Sequence, residues 1–297
     1  MLGAKTNMKS IEQIERLLAD GAFREAEEGL LELRRVGSAG AITDYLLGCL
    51  YDDYRNLKRS RREAKRHFTA AIQTDDPVEE AFLQLAKLEQ GRTHTERILR
   101  HGIQRFPKSV RLHERLLVWT APESREELFL RMLGDGLASR DATALMIRTY
   151  TELKAHRKAL DLIGTFTPRE DSQAMILALL QALCILESGD SEHAVDLLTL
   201  LIERDIAQEL GYAQYFGLIA CRLEQSKLKL ALRVFDDVPG EEDFQSLYDF
   251  EFGPIDQCYL RLVDRAITNL LKATKNRKVV AKARGIRALI AGNEEFG

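Results

Sequence analysis

An all-α fold of stacked helical hairpins is predicted by three features of this 297-residue sequence. Stretches with apolar residues at helical spacing alternate with glycine turns, as at Gly21 and Gly189. A small alanine opens the helix after each of these turns, at Ala26 and Ala194. The six prolines are few for this length, and no alternating apolar pattern of the kind that predicts strands is present. Because one short hairpin cannot bury its apolar face alone, we expect the copies to stack into a right-handed α-solenoid.

Composition and the longest apolar run exclude two classes of protein. Hydrophobic residues make up 45% of the chain and charged residues 30%, which predicts a folded rather than a disordered protein. The first ten residues are polar and lack a signal-peptide pattern. The longest apolar run, Ala174 to Leu186, is too short to span a bilayer. We therefore expect a cytoplasmic protein with no membrane span.

The first hairpin is predicted over residues 11 to 35. Ile11 to Ala19 has helical periodicity, and Ser10 with Gln13 forms a capping-box pattern at its start. Gly21 ends this helix, and Arg24 to Arg35 continues as the second helix of the pair.

The second hairpin, from Ala41 to Pro77, carries the most specific motif. Its motif residues, in chain order, are Leu47, Gly48, Tyr51, Ala64, Phe68, Ala71 and Pro77. In this order they resemble the tetratricopeptide repeat. The connection from Tyr51 to Ala64 is longer than in that repeat, which is similar to its Sel1-like variant.

Further hairpins follow in phase. The third runs from Val78 to Lys108, and its Phe106-Pro107 ending with the leucines and Trp119 that follow resembles the half-a-tetratricopeptide repeat of RNA-processing scaffolds. The stretch from Ser109 to Ser139 is helical with a break at Ala121-Pro122. Three later units repeat the small alanine, at Ala159, Ala194 and Ala231.

Two regions are predicted from this pattern. The repeats cover residues 10 to 238, and a proline-glycine pair then begins a region of different composition, 239 to 297. This second region combines an acidic-aromatic loop with basic C-terminal helices that we expect to cap the repeats, because the terminal units of solenoids have one face in water.

The cysteines are predicted to be buried and free. Cys184, Cys221 and Cys258 are evenly spaced, so they occupy equivalent places on successive repeats. Such places lie about 8–10 Å apart or more, whereas a disulfide requires Cα atoms within about 7 Å.

No catalytic or metal-binding motif is found. The sequence lacks a phosphate-binding glycine loop, a nucleophile elbow and a His-Glu-x-x-His motif. Its six histidines never pair at helical metal-site spacing. We expect a protein that is not an enzyme and that needs no cofactor or metal.

A partner-binding groove is implied by the resemblance. In the tetratricopeptide family the first helix of each hairpin lines a concave groove, and the positions that face the ligand can be carried over from Ala194 and Ala231. They are Ile176, Leu179, Leu183, Leu186, Phe216 and Leu223. This apolar set suits a helix or extended segment of another protein. The alternative is that these residues are core of a tightly wound superhelix.

Charge is segregated although the net charge is only −3. Basic patches cover 55–66 and 261–287, and an acidic stretch covers 236–256. The patch residues singled out are Arg59, Arg61, Arg62, Lys272, Lys275, Arg277, Lys278, Lys282 and Arg284. Three partners remain open for them: the acidic stretch or another protein, a phosphate backbone, or a membrane surface. No aromatic residues interleave the cations to stack on bases.

The function predicted is a non-enzymatic scaffold or adaptor that holds a partner protein in its groove as a subunit of a larger assembly. The alternative is a nucleic-acid-associated regulatory component that uses the two basic patches. A third candidate is a repeat receptor that senses a peptide.

Overall fold

The fold is all-α throughout the part of the chain that the computed structural model describes. The described residues are 10–37, 40–53, 60–168, 171–204, 213–225, 227, 230–231, 233–234, 254–273, 280–281 and 284. They contain helices and connecting turns and no strand, which confirms the predicted fold class. None of these helices has the length and apolar character needed to cross a membrane.

The chain divides into two compact units, unit 1 from Met1 to Ala142 and unit 2 from Thr143 to Gly297. The region boundary predicted at 238/239 lies outside the described residues. Unit 1 contains α1 (Ile11–Ala19), α2 (Phe23–Val36), α3 (Gly40–Asp53), α4 (Ser60–Ile72), α5 (Glu79–Leu88), α6 (Arg92–Arg105), α7 (Val110–Trp119) and α8 (Pro122–Gly134). Next comes α9 (Arg140–Glu152), within which unit 2 begins. Unit 2 continues with α10 (His156–Thr165), α11 (Asp171–Glu187), α12 (Ser191–Arg204), α13 (Ala213–Glu224) and α14 (Pro254–Ala273).

Local signals place the helix ends where the sequence predicts them. The Ser10 hydroxyl accepts a hydrogen bond from the Gln13 backbone N–H, and the Gln13 side chain accepts one from the Ser10 N–H, so the capping box is present. Gly21 has a φ of 74° and Gly189 a φ of 91°. Both turns between helices therefore use the left-handed conformation that glycine adopts without strain.

Unit 1 is a stack in which each helix from α1 to α8 packs against the next, and α5 also contacts α7. The α3–α4 pair shows how the repeat motif works. A Cβ atom on Gly48 would lie 2.5 Å from the ring of Phe68, so the glycine allows the buried ring to lie directly on the α3 backbone. Ala64 and Ala71 are buried beside it.

Arginines tie successive hairpins of unit 1 together. Arg61, in α4, donates a hydrogen bond of 2.9 Å to the carbonyl oxygen of Leu88 at the end of α5. Arg92, at the start of α6, donates one of 2.7 Å to the carbonyl oxygen of Trp119 at the end of α7. Both bonds span 27 residues, so the same contact recurs in two neighbouring repeats. Each satisfies a terminal carbonyl that lacks a partner within its own helix.

Unit 2 is a second stack, in which each helix from α10 to α14 contacts the next of these helices in chain order. In addition, α11 contacts both α13 and α14. Its core contains Ala194 and Ala231, the repeat alanines, together with Cys221. Cys184 is also buried, and both cysteines are free, as predicted. The side chain of Cys258 lies outside the described residues.

Candidate functional site

Four of the six residues predicted to line a partner groove are buried. Leu179, Leu183, Leu186 and Phe216 belong to one core cluster of unit 2, and Leu223 packs partly buried against it. Only Ile176 is largely exposed, at 43%. The buried residues therefore belong to the core, which is the alternative interpretation given with the sequence.

The burial involves the chain's own α14. Tyr259, Leu262, Val263 and Ile267 of α14 are buried in the same cluster as the predicted groove residues. The Tyr259 hydroxyl donates a hydrogen bond of 2.7 Å to the backbone carbonyl oxygen of Leu179 in α11. Its ring lies against Gly217 of α13, where a Cβ atom would be only 2.6 Å from a ring carbon.

The position and direction of α14 follow from a second contact. The Arg265 guanidinium lies 3.4 Å from carboxylate oxygens of Glu187 and Glu224, which end α11 and α13. Tyr259 contacts Leu179, and Arg265, which comes later in α14, contacts Glu187, which comes later in α11. The two helices therefore run in the same direction. The predicted binding surface is thus occupied by a helix of this chain, and binding of another protein there stays a prediction.

The odd-numbered helices of unit 1 form a surface equivalent to that of α11 and α13 in unit 2. Counting from Ala64 gives the residues of α3 that are equivalent to the predicted groove positions of α11. They are Ile42, Tyr45, Cys49 and Asp52. The matching face of α5 carries Glu80, Leu83 and Lys87, and that of α7 carries Arg111, Glu114 and Val118. We call these ten residues the unit 1 face.

Contacts between helices show that these residues share a surface. Arg111 of α7 pairs with Glu80 of α5 at 2.9 Å, and Lys87 of α5 pairs with Asp52 of α3 at 3.7 Å. These ion pairs link α3 to α5 and α5 to α7. All four side chains are at least partly exposed, so each pair contributes little to stability and remains accessible to a ligand.

The centre of the unit 1 face is apolar and partly exposed. Tyr45, Cys49 and Leu83 pack against the core of unit 1 without being buried, and Val118 is 47% exposed. Burial, followed by its hydrogen bond to the Cys49 thiol, raises the pKa of Tyr45. The phenol is therefore neutral near pH 7 and offers a ring and a hydroxyl to a ligand.

The sequence contained the signal for the unit 1 face. The predicted groove positions of α11 and α13 lie a fixed number of residues before the repeat alanine of the next helix. The same count back from Ala64 reaches the α3 residues once the four extra residues between Tyr51 and Ala64 are allowed for. This longer connection shifts the count, so a fixed repeat length selects Leu46 and Cys49 and misses Tyr45.

The predicted basic patches are described in part. Arg61, Arg62, Lys272 and Arg284 are exposed, and Arg61 also donates to the carbonyl of Leu88 and so takes part in joining repeats. The patch residues outside the described part of the chain are Arg59, Lys275, Arg277, Lys278 and Lys282. Nearly all of the acidic stretch 236–256 lies outside it as well.

A polar network around the buried His67 joins α2, α3 and α4. His67 donates from Nδ1 to Asp44 at 2.7 Å, and Arg34 lies 3.2 Å from the same carboxylate oxygen. The ring of Tyr51 stacks on His67. Burial lowers the pKa of His67, an effect that Asp44 opposes. Within the described residues, no group of three or more His, Cys, Asp or Glu side chains is arranged to hold a metal ion.

The chain is similar to part of a solved structure. No protein-family model matches the chain, and no curated protein matches it. Among solved structures, the chain matches part of one titled "Structure of Naa15/Naa10 bound to HypK-THB", with a TM-score of 0.46 and 13% sequence identity. The match covers 88% of this chain, which spans 41% of the length of the matched chain.

Proposed function

We propose that this protein is a non-enzymatic helical-repeat scaffold that binds a segment of a partner protein on the unit 1 face, as a subunit of a larger assembly. The observation that carries the proposal is the contrast between two equivalent surfaces. The surface of α11 and α13 is covered by α14, whereas the unit 1 face keeps Tyr45, Leu83 and Val118 partly exposed. The tetratricopeptide resemblance supports binding on this side of the repeats.

The proposal places the binding surface in unit 1 instead of unit 2. To reach Leu179 or Leu183, a partner would have to displace α14, which would expose the buried side chains of Tyr259, Val263 and Ile267. Burying an aromatic or aliphatic side chain of this size is worth about 1.5–3 kcal/mol. No such cost applies to the unit 1 face.

The alternative function, association with nucleic acid through the basic patches, has less support. Arg61 also bonds a helix end of the fold. Among the patch residues singled out above, those that the structure describes, Arg61, Arg62, Lys272 and Arg284, are exposed. Phosphate binding by separate surface cations would be weak and strongly salt-dependent.

Affinity purification from the source cells tests the proposal. The bait is the full chain, compared with a Leu83→Glu/Val118→Glu variant of the unit 1 face. The matched control, Leu31→Glu/Leu130→Glu, changes two leucines of even-numbered helices that are 44% and 55% exposed. Each sample is divided and one half is treated with nuclease.

We expect a stoichiometric protein partner that survives nuclease, that the control retains and that the face variant loses. A partner that the face variant retains would contradict the proposed surface. A partner lost on nuclease treatment would instead assign the function to the basic residues.

A further inference from the structure

The way α14 lies on unit 2 shows which ligand chemistry an odd-helix surface of this protein accepts. The side chains that α14 buries are an aromatic ring, Tyr259, and aliphatic groups that include Leu262 and Ile267. Its Arg265 lies between two carboxylates at the C-terminal ends of the helices below. Those ends are also the negative ends of the helix dipoles, which adds to the attraction for a cation.

The unit 1 face has two of these features at nearby positions, an apolar centre and one carboxylate. Tyr45, Cys49 and Leu83 form its half-buried apolar centre, at the level where Tyr259 meets α11 in unit 2. Asp52 supplies a carboxylate near the C-terminal end of α3, as Glu187 does at the end of α11. Lys87 pairs with Asp52 at 3.7 Å and is largely exposed, so it can turn toward water when another cation approaches.

A helix suits this surface better than an extended segment. The backbone N–H and C=O groups of α3, α5 and α7 are hydrogen-bonded within each helix. The face therefore presents side chains only. An extended peptide would lack partners for its own backbone groups, whereas a helix satisfies its backbone internally and can bury one apolar stripe.

From these features we infer that the unit 1 face binds an amphipathic helix of a partner protein with the chemistry of α14. That helix carries an aromatic residue, aliphatic residues three, four and eight positions later, and an arginine six positions later. It lies parallel to α3 with the arginine at Asp52. This inference rests on the proposed function and names the partner chemistry of the same surface.

The occupant is a partner protein and not the α14 of a second copy. Tyr259, Val263 and Ile267 are buried in their own chain. An α14 that moved to another molecule would uncover these side chains together with the apolar surface of α11 and α13. A separate helix of the same pattern carries no such cost.

A labelled synthetic peptide with the sequence of residues 254–273 is the probe, and its binding to the full chain is measured by fluorescence anisotropy. We expect saturable binding that weakens at least about tenfold in the Leu83→Glu chain, as for a buried interface anchor. Val118→Glu tests the same face at an exposed position, where folding is not at risk. Leu31→Glu is the control and should bind as the unmodified chain does.

A charge exchange tests the orientation. A peptide carrying Arg265→Glu should bind the unmodified chain less tightly and should regain affinity for the Asp52→Lys chain. The inference would be overturned if the Leu83→Glu and Val118→Glu chains bound the peptide as tightly as the unmodified chain does. It would also be overturned if the peptide did not bind the unmodified chain, or if the charge exchange did not restore affinity. If the peptide fails while the cellular partner is still lost from the face variant, the proposed function stands and only the helix chemistry fails.

Discussion

The hydroxyl of Tyr259 donates a hydrogen bond to the backbone carbonyl of Leu179, eighty residues earlier in the chain. This bond joins α14 to α11 inside the core of unit 2. Residues with the spacing of a binding groove are buried in that core together with residues of α14.

Removing the Tyr259 hydroxyl should weaken unit 2 without changing its packing. In Tyr259→Phe the ring stays against Gly217 and the hydrogen bond is lost, so we expect the free energy of unfolding to fall by about 1 kcal/mol. Tyr259→Ala leaves a cavity and should cost about 3–5 kcal/mol. Urea unfolding followed by far-ultraviolet circular dichroism measures both. A Phe variant as unstable as the Ala variant would contradict the assignment.

Gly48 should not tolerate a methyl group. A Cβ atom there would lie 2.5 Å from the Phe68 ring, and the ring is buried and cannot move aside freely. Gly48→Ala should therefore destabilise unit 1 by about 1–3 kcal/mol. Gly134→Ala is the control because nothing lies within 4 Å of its added Cβ. The fluorescence of Trp119, the single tryptophan of the chain, reports the urea midpoint.

The two arginines that join repeats should matter more for stability than Arg62, the residue next to Arg61. Arg61→Ala and Arg92→Ala each leave a helix-end carbonyl without its side-chain donor, so each should lower the free energy of unfolding by about 1 kcal/mol. Arg62→Ala, an exposed residue of the same helix as Arg61, should change it by less than about 0.5 kcal/mol. Trp119 fluorescence in urea measures all three. Equal effects would mean that the contacts with Leu88 and Trp119 do not stabilise the stack.

Stability should depend on pH through His67. Burial lowers its pKa below that of an unfolded histidine, about 6.5. Between these two values the unfolded chain binds more protons than the folded chain, so stability falls as the pH drops from 7.5 to 5.5. His67→Asn should flatten this dependence. His193 provides the opposite sign, because its hydrogen bond with Asp190 raises its pKa and its contribution is present at low pH.

The buried thiols should resist alkylation. Burial raises the pKa of Cys221 to about 12 and also raises the pKa of Cys184. Both should therefore react with iodoacetamide only after unfolding, because the thiolate is the nucleophile. Cys49 is partly exposed on the unit 1 face and should react in the folded protein. Peptide mass mapping before and after urea treatment distinguishes the three, and rapid native labelling of Cys221 would contradict its burial.

The predictions that held depend on local sequence. The Ser10–Gln13 capping box, the glycine turns and the buried Ala64 and Phe68 involve residues a few positions apart or within one hairpin. Turn and capping chemistry acts over such distances, so the pattern of residues is sufficient to predict it.

The accessibility of the site could not be predicted in the same way. Leu179 and Tyr45 occupy equivalent repeat positions, and both have the apolar character that a binding surface needs. One is buried and the other is partly exposed. The difference comes from α14, which contacts α11 but is separated from it by more than sixty residues of chain.

The sequence by itself determined an all-α fold and its hairpins, and it predicted the side of each hairpin on which a ligand would bind. These properties follow from helical periodicity, glycine turns and the size of single residues. Only the tertiary structure determined in which unit that side is covered, because burial depends on which distant helix packs against it. In unit 2 that helix is α14, with Tyr259 and Arg265 bonded to α11.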